Sequence, residues 1–206
     1  MSNSNQEIEA KFYVDDLDGI KSRLQGLEAR LIQPRILETN IRFDLPDGGL
    51  RSEGRVLRLR QDIESRLTYK GAGTNEHGIL SRTEIEFVVE DFEKARQFLE
   101  ALGYLKVLAY DKYRSVYELE KCHIMLDELP IGHFVEIEGK DAGDIQNVAT
   151  KLNLNMGVAI TKSYTALFES VKEALGLSFH DLSYENFAGI HVTPDDLGVH
   201  AADGNV

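Results

Sequence analysis

The sequence has no tryptophan, one cysteine and four prolines in its 206 residues. The lone cysteine, Cys122, excludes an intrachain disulfide and a cysteine-rich metal knuckle. No apolar run approaches the length that spans a bilayer. The stretch Met1–Gln6 is polar and lacks the apolar core of a signal peptide. Together these absences favour a cytoplasmic protein with no membrane partner. The six histidines are scattered and none forms a paired metal spacing. His133 is expected to be structural or exposed, and His123 beside Cys122 lacks the third group that a Cys–His nucleophile needs. No Gly-x-x-x-x-Gly-Lys-Ser/Thr loop is present, so phosphate chemistry here would not use a P-loop. Positive charge is also in deficit. With 23 Lys and Arg against 35 Asp and Glu, the net charge of -12 argues against nucleic acid as a partner.

What remains is an ordinary globular composition, 42% hydrophobic and 28% charged, long enough for one large domain. Residues 1–176 are expected to form it, and 177–206 an irregular, partly disordered C-terminal tail whose last residues, from Ala201, look disordered. Apolar periodicity predicts helices over about 15–29, 91–102, 142–152 and 163–175. In the second of these Phe92, Ala95, Phe98, Leu99 and Leu102 would face inward. Strands are expected near 6–14, 35–44, 55–62, 65–70, 80–90, 105–119, 122–127 and 132–138, with Gly71–Gly78 as a loop. Glu7-Ile8-Glu9 with its following helix is echoed by Glu84-Ile85-Glu86 with its own, which suits a closed or nearly closed antiparallel sheet built from a duplicated unit.

Side chains on a strand alternate between faces, and here the alternation is unusually sharp. Glu7, Glu9 and Lys11 oppose Ile8, Ala10 and Phe12. Arg58 and Arg60 oppose Leu57 and Leu59, and Lys70 opposes Tyr69. Arg82, Glu84 and Glu86 oppose Ile85 and Phe87. Lys112 and Arg114 oppose Tyr113, Asp127 opposes Leu126, and Glu136 and Glu138 oppose Val135 and Ile137. An ordinary half-buried sheet also alternates, but its outer face mixes in Thr, Ser, Gln and Asn. These faces are almost purely ionic. The amphipathic helices meanwhile need an apolar surface to cover, and Phe12, Phe87 and Val135 belong to the layer expected beneath them. If the helices pack outside and the sheet curls, the charges line the interior.

Burying charges costs several kcal/mol each, roughly, unless they are paired, hydrated or liganded. A tunnel walled by both signs is therefore a functional expectation. Arginine and lysine suit a polyanion, arginine because its planar fork matches phosphate oxygens. The carboxylates would repel phosphate and suit Mg2+ or Mn2+, hard cations that bridge carboxylate to phosphate. The partner expected is thus a small-molecule triphosphate or polyphosphate.

With these motifs in hand, the sequence resembles the CYTH superfamily of triphosphate tunnel metalloenzymes, which includes class IV adenylyl cyclases, thiamine triphosphatases and inorganic triphosphatases. The elements are Glu7-x-Glu9-x-Lys11, Leu57-Arg58-Leu59-Arg60, Thr68-Tyr69-Lys70-Gly71, Arg82-x-Glu84-x-Glu86, Lys112-x-Arg114, Leu126-Asp127 and Phe134-x-Glu136-x-Glu138. They run in order from about residue 6 to 170. The resemblance implies an α+β fold: a roughly eight-stranded antiparallel β-barrel tunnel with helices outside. It implies that Lys11, Arg58, Arg60, Lys70, Arg82, Lys112 and Arg114 grip the triphosphate. Glu7, Glu9, Asp127, Glu136 and Glu138 would hold Mg2+ or Mn2+, with Lys11, Glu84 and Glu86 in the catalytic role. Lys162 is a candidate for a late family lysine.

Two reactions share such a tunnel: hydrolysis, and cyclisation of ATP with loss of pyrophosphate. The absence of a His-Phe element before Glu7 leans toward a metal-dependent triphosphatase, whereas the segment 129–138 resembles the cyclase-like branch. A class IV adenylyl cyclase is the alternative, and a non-catalytic polyphosphate- or nucleotide-binding module the third reading. The tail is a candidate dimer arm or lid, so a homodimer is a possibility.

Overall fold

Alternation of charged and apolar side chains closes the sheet on itself with the charges inside. A computed structural model describes residues 5–204; Met1–Ser4, Asn205 and Val206, and the expectations that fall on them, lie outside the described residues. The strands are β1 (Gln6–Val14), β2 (Arg30–Asp44), β3 (Val56–Gln61), β4 (Ser65–Glu76), β5 (Ile79–Val89), β6 (Leu105–Leu119), β7 (Cys122–Leu129) and β8 (Gly132–Glu138). They form a closed barrel in the order β1-β5-β4-β3-β2-β6-β7-β8, every neighbouring pair antiparallel. Exchanging β1–β4 with β5–β8 reproduces the same neighbour order. The sequence echo therefore corresponds to a two-fold repeat in topology. The helices are α1 (Leu17–Gly26), α2 (Gly49–Ser52), α3 (Phe92–Ala101), α4 (Ala142–Lys151), α5 (Tyr164–Leu175) and α6 (Pro194–Leu197). None among the described residues is long and apolar enough to cross a membrane.

The apolar core forms three clusters, two outside the barrel and a third that reaches its inner face at Tyr110 and Phe134. Ile20 and Leu24 of α1 and Ile145 and Val148 of α4 pack on Phe12, Ile124, Leu126, Val135 and Ile137. Ile41, Phe43, Leu57 and Leu59 are covered by Leu50 of α2 and Leu99 of α3. The third cluster joins Leu167, Phe168 and Val171 of α5 to Tyr110, Phe134 and the C-terminal segment. Each stripe buries apolar surface worth about 25 cal/mol per Å2. Capping fixes where the helices start: Asp16, Asp91, Asp141 and Ser163 each accept a backbone N–H from the first turn.

Four expectations are corrected. Phe98 and Leu102 on and beside α3 are 62% and 59% exposed, because this short helix meets the barrel through one stripe centred on Leu99. Phe87 is 53% exposed with Ile85 beside it, since the helices cover other strands and leave this part of β5 bare. Alternation tells which residues share a face, not which stretch of that face is covered. Most of the expected loop Gly71–Gly78 is strand: β4 runs to Glu76, and a two-residue turn at His77–Gly78, both at positive φ, leads into β5.

The fourth correction concerns the tail. It is irregular as expected, apart from α6, but packed rather than disordered through Gly204. Leu182 N–H donates to the Ala109 carbonyl (2.9 Å) and Asp111 N–H to the Leu182 carbonyl (3.0 Å). Leu182, Phe187, Leu197 and Val199 are buried against α5 and its neighbours. Further on, Ala202 N–H donates to the Tyr13 carbonyl (2.9 Å), and Asp203 accepts the N–H groups of Asp15 and Asp16 ahead of α1. Single apolar residues inserted one at a time carry no period, so periodicity could not reveal them.

Candidate active site in the barrel interior

The barrel encloses a tunnel of about 340 Å3. Every residue expected in the site lines it except Asp127: Glu7, Glu9, Lys11, Arg58, Arg60, Lys70, Arg82, Glu84, Glu86, Lys112, Arg114, Glu136 and Glu138. The strand order divides the charges. Glu7 and Glu9 on β1 lie beside Glu136 and Glu138 on β8, through the pairs Glu9↔Glu138 and Lys11↔Glu136. Half a turn around the barrel, β3, β2 and β6 present Arg58, Arg60, Arg42, Lys112 and Arg114. Carboxylates thus predominate on β1 and β8, with Lys11 among them, and cations on β3, β2 and β6, with Glu38 among them.

Within this frame the charges pair with each other. Lys70 donates to Glu7 (2.5 Å) and contacts Glu84 (3.1 Å), while Arg82 reaches Glu7 (2.8 Å) and Glu9 (3.3 Å). Lys11 pairs with Glu136 (3.2 Å), lies over the Tyr164 ring (4.3 Å) and donates to the Lys162 carbonyl (3.5 Å). Arg60 holds Glu86 (3.1 Å), which also accepts from Thr68 (2.7 Å). Against their burial, Lys70 and Arg82 hold the Glu7 carboxyl down at about 2. Lys11 and Arg114 likewise hold Glu136 well below the usual carboxylate range. Other carboxylates are less well matched. Burial, Glu136 and Glu7 push Glu9 up, and burial, Glu7 and Glu9 push Glu138 up. Burial also raises Glu84, to about 7, with Lys70 opposing and Glu7 reinforcing.

Asp127 is placed differently from the other expected residues. It is fully buried and does not line the tunnel. Its two oxygens accept from Arg114 Nε (2.6 Å) and Nη2 (2.5 Å), Lys112 Nζ (2.9 Å) and the Tyr164 hydroxyl (2.8 Å). In this arrangement Asp127 fixes Lys112 and Arg114 from behind. Lys162 also lies elsewhere, with its ammonium on Ser170 Oγ (3.2 Å) outside the tunnel.

Several lining residues were not singled out from the sequence. On β2, Glu38 and Arg42 line the tunnel and share a face with Asn40, alternating with Ile41 and Phe43, the same signal read on the other strands. Glu38, fully buried, lies within 3.6–3.8 Å of Lys112, Arg114 and Arg60, which against its burial hold it at about 2. Tyr110 sits among Arg58, Lys112 and Arg42, which outweigh burial and pull its phenol below the usual range. Ser163, Tyr164 and Thr165, where α5 begins, reach the tunnel from outside the barrel. His123 lines the lumen across from Glu138, its partner in register.

Among the described residues no three His, Cys, Asp or Glu side chains converge as a ready-made ligand set. The donor chemistry nevertheless fits a hard cation. Glu7, Glu9 and Glu138 raise one another's proton affinity or share basic partners, and a divalent ion relieves that repulsion. The basic wall has the complementary vacancy: Arg42, Arg58 and Arg60 each keep a buried Nε without a hydrogen-bond partner in the protein.

A family model for the CYTH domain matches residues 5–164. A Methanocaldococcus jannaschii protein, whose provisional name is adenylate cyclase, is 31% identical over 173 residues, covering 78% of this chain and 97% of its own. The adenylate cyclase CyaB of Aeromonas hydrophila is 29% identical over 176 residues, covering 79% and 88%. Among solved structures, a Pyrococcus horikoshii OT3 protein matches with a TM-score of 0.67 and 27% identity, over 77% of this chain and 96% of that one. A Hippeastrum protein first taken for an adenylyl cyclase and described as having a dominant triphosphatase activity shares the fold, with TM-score 0.59 and 19% identity over 80% and 95%.

Proposed function

The chain belongs to the CYTH domain family, and from that premise we propose that it is a divalent-metal-dependent triphosphatase. Its reaction is hydrolysis of a phosphoanhydride bond in inorganic triphosphate or an organic triphosphate such as thiamine triphosphate or a nucleotide. The observation that carries this reading is the uneven sharing of the tunnel, with carboxylates in the majority on β8 and β1 and cations in the majority on β3, β2 and β6. Such a division suits a polyanion on one side and its counter-cation on the other.

In this reading the internal ion pairs are placeholders. Phosphate oxygens take over Arg58, Arg60, Lys112 and Arg114 on the basic side and draw Lys11, Lys70 and Arg82 off their carboxylates. Glu7, Glu9, Glu136 and Glu138 are thereby released to hold Mg2+ or Mn2+. The bound ion supplies charge neutralisation and orientation of the attacking water. Asp127 keeps Lys112 and Arg114 pointed at the substrate through the 2.5–2.9 Å contacts it already makes. Glu86 does the same for Arg60. Glu84, at about 7, exchanges a proton near neutral pH and stands within reach of the Lys70 ammonium. The Hippeastrum protein supports hydrolysis as chemistry this fold can host.

The second reading, an adenylyl cyclase of class IV, is favoured by the names of the two curated relatives. Anion-exchange analysis of products separates the two. The protein is incubated with inorganic triphosphate, thiamine triphosphate or ATP, with Mg2+ and with Mn2+. Phosphate release that Glu9→Gln abolishes supports the triphosphatase. Cyclic AMP with pyrophosphate as the main products from ATP replaces it with the cyclase.

A further inference from the structure

Four neighbouring strands bring one row of side chains into line across the tunnel wall. Register sets Glu118 of β6 opposite His123 of β7, His123 opposite Glu138 of β8, and Glu138 opposite Glu9 of β1. Directly opposed residues on one face have Cβ atoms roughly 4.5–5.5 Å apart. His123, Glu138 and Glu9 all line the tunnel. An imidazole and two carboxylates therefore stand side by side on three strands, a neighbourhood that spacing along the chain does not reveal.

The ends of this row are occupied and its centre is not. Arg30 holds Glu118 (2.8 Å) and Arg82 reaches Glu9 (3.3 Å). Among the described residues, neither His123 nor Glu138 makes a side-chain ion pair or hydrogen bond, although Glu7, Glu9 and Glu136 all have basic partners. The row does not converge on one point as it stands. His123 is exposed and Glu138 only half-buried, so both side chains can turn inward without giving up a partner. Cys122, the sulfur ligand nearest in sequence, is buried on the opposite face of β7 and takes no part.

We propose that His123 joins Glu138 and Glu9 as a ligand of a cation bound in the tunnel, and that its nitrogen makes this position selective for first-row transition ions over Mg2+. The proposal rests on the reading that these carboxylates hold a divalent cation. Mg2+ demands oxygen ligands in near-ideal octahedral geometry and gives up its waters reluctantly, so an imidazole adds little to its binding. Transition ions accept imidazole nitrogen readily, and a neutral ring completes their ligand set without adding to the negative charge already gathered there.

The test is pulsed electron paramagnetic resonance of the full chain loaded with Mn2+, in which a coordinated imidazole nitrogen modulates the spin echo. The wild type is expected to show that modulation, His123→Gln to lose it, and His133→Gln, at an exposed histidine on the outer face of β8, to keep it. In calorimetric titrations with each metal alone, His123→Gln should lower the ratio of Mn2+ to Mg2+ affinity by about tenfold or more. Mn2+ bound without nitrogen modulation in the wild type, modulation that survives His123→Gln, or an unchanged affinity ratio would overturn the role of His123 while leaving the tunnel reading in place. A wild type that binds neither metal would instead remove the metal-dependent reading, and this ligand with it.

Discussion

Asp127 accepts hydrogen bonds from Lys112, Arg114 and Tyr164, whereas Glu9 meets one arginine and sits among other carboxylates. Neutralising each therefore has opposite consequences. Asp127→Ala takes from Lys112 and Arg114 a close carboxylate partner, leaves Lys112 to the more distant Glu38, and is expected to cost about 3–5 kcal/mol of stability. Tyr164→Phe removes one charge-assisted hydrogen bond and costs about 1–3 kcal/mol. Both are read from denaturant midpoints. Glu9→Gln, by contrast, relieves repulsion: the metal-free protein is expected to unfold at a higher denaturant concentration while losing its metal-dependent turnover. A lower midpoint would mean that the Arg82 contact outweighs the crowding. Glu136 lies on the Asp127 side of this divide, because Lys11 and Arg114 both depend on it.

At the scale of elements, α5 is the piece that the barrel does not itself hold in register, and the C-terminal segment fastens it. Leu182, fully buried beside Tyr110, is both an apolar plug and a backbone partner of β6. Leu182→Ala is expected to cost about 2–5 kcal/mol in thermal or chemical denaturation. How much of this was legible follows from which elements carry a period. The strands were readable because a period of two sorted ions from aliphatics, and that also placed Glu7, Glu9, Arg58, Arg82 and Glu136 inside. The contact between Asp127 and Tyr164 is not legible in the strand pattern, since Tyr164 comes from a helix 37 residues on. Phe87, Phe98 and Leu102 were misplaced because cover is a tertiary property. The tail was misread because isolated apolar residues have no rhythm to detect.

For the whole molecule, opposed pKa shifts set the pH response. Glu7 and Glu38 lie at about 2 against an ordinary 4.5, so their stabilisation is complete above about pH 4.5 and lost as pH falls toward 2. Glu84, at about 7, acts in the other sense: the folded state gains a proton the unfolded state lacks, so its contribution grows as pH falls from 7 toward 4.5. In EDTA the denaturation midpoint is therefore expected to peak between about pH 4.5 and 7 and to decline on both sides. Under the proposed function, Mg2+ at about a hundredfold its dissociation constant adds about 2.7 kcal/mol at neutral pH, and the peak moves upward because the ligands must be deprotonated.

The seam between β1 and β8 joins the first strand of the barrel to its last. During synthesis β1 waits for β5 on one side and for β8 on the other, so the barrel stays open until nearly all of its strands have left the ribosome. The join that closes it also brings Glu7 and Glu9 against Glu138, and like charges slow that encounter. Under the proposed function, refolding in EDTA at neutral pH is expected to end in a slow step that Mg2+ or mild acid shortens, read by stopped-flow fluorescence. Once the seam has shut, the hydrogen bond from Ala202 to Tyr13 latches the segment after α6 onto the barrel's first strand.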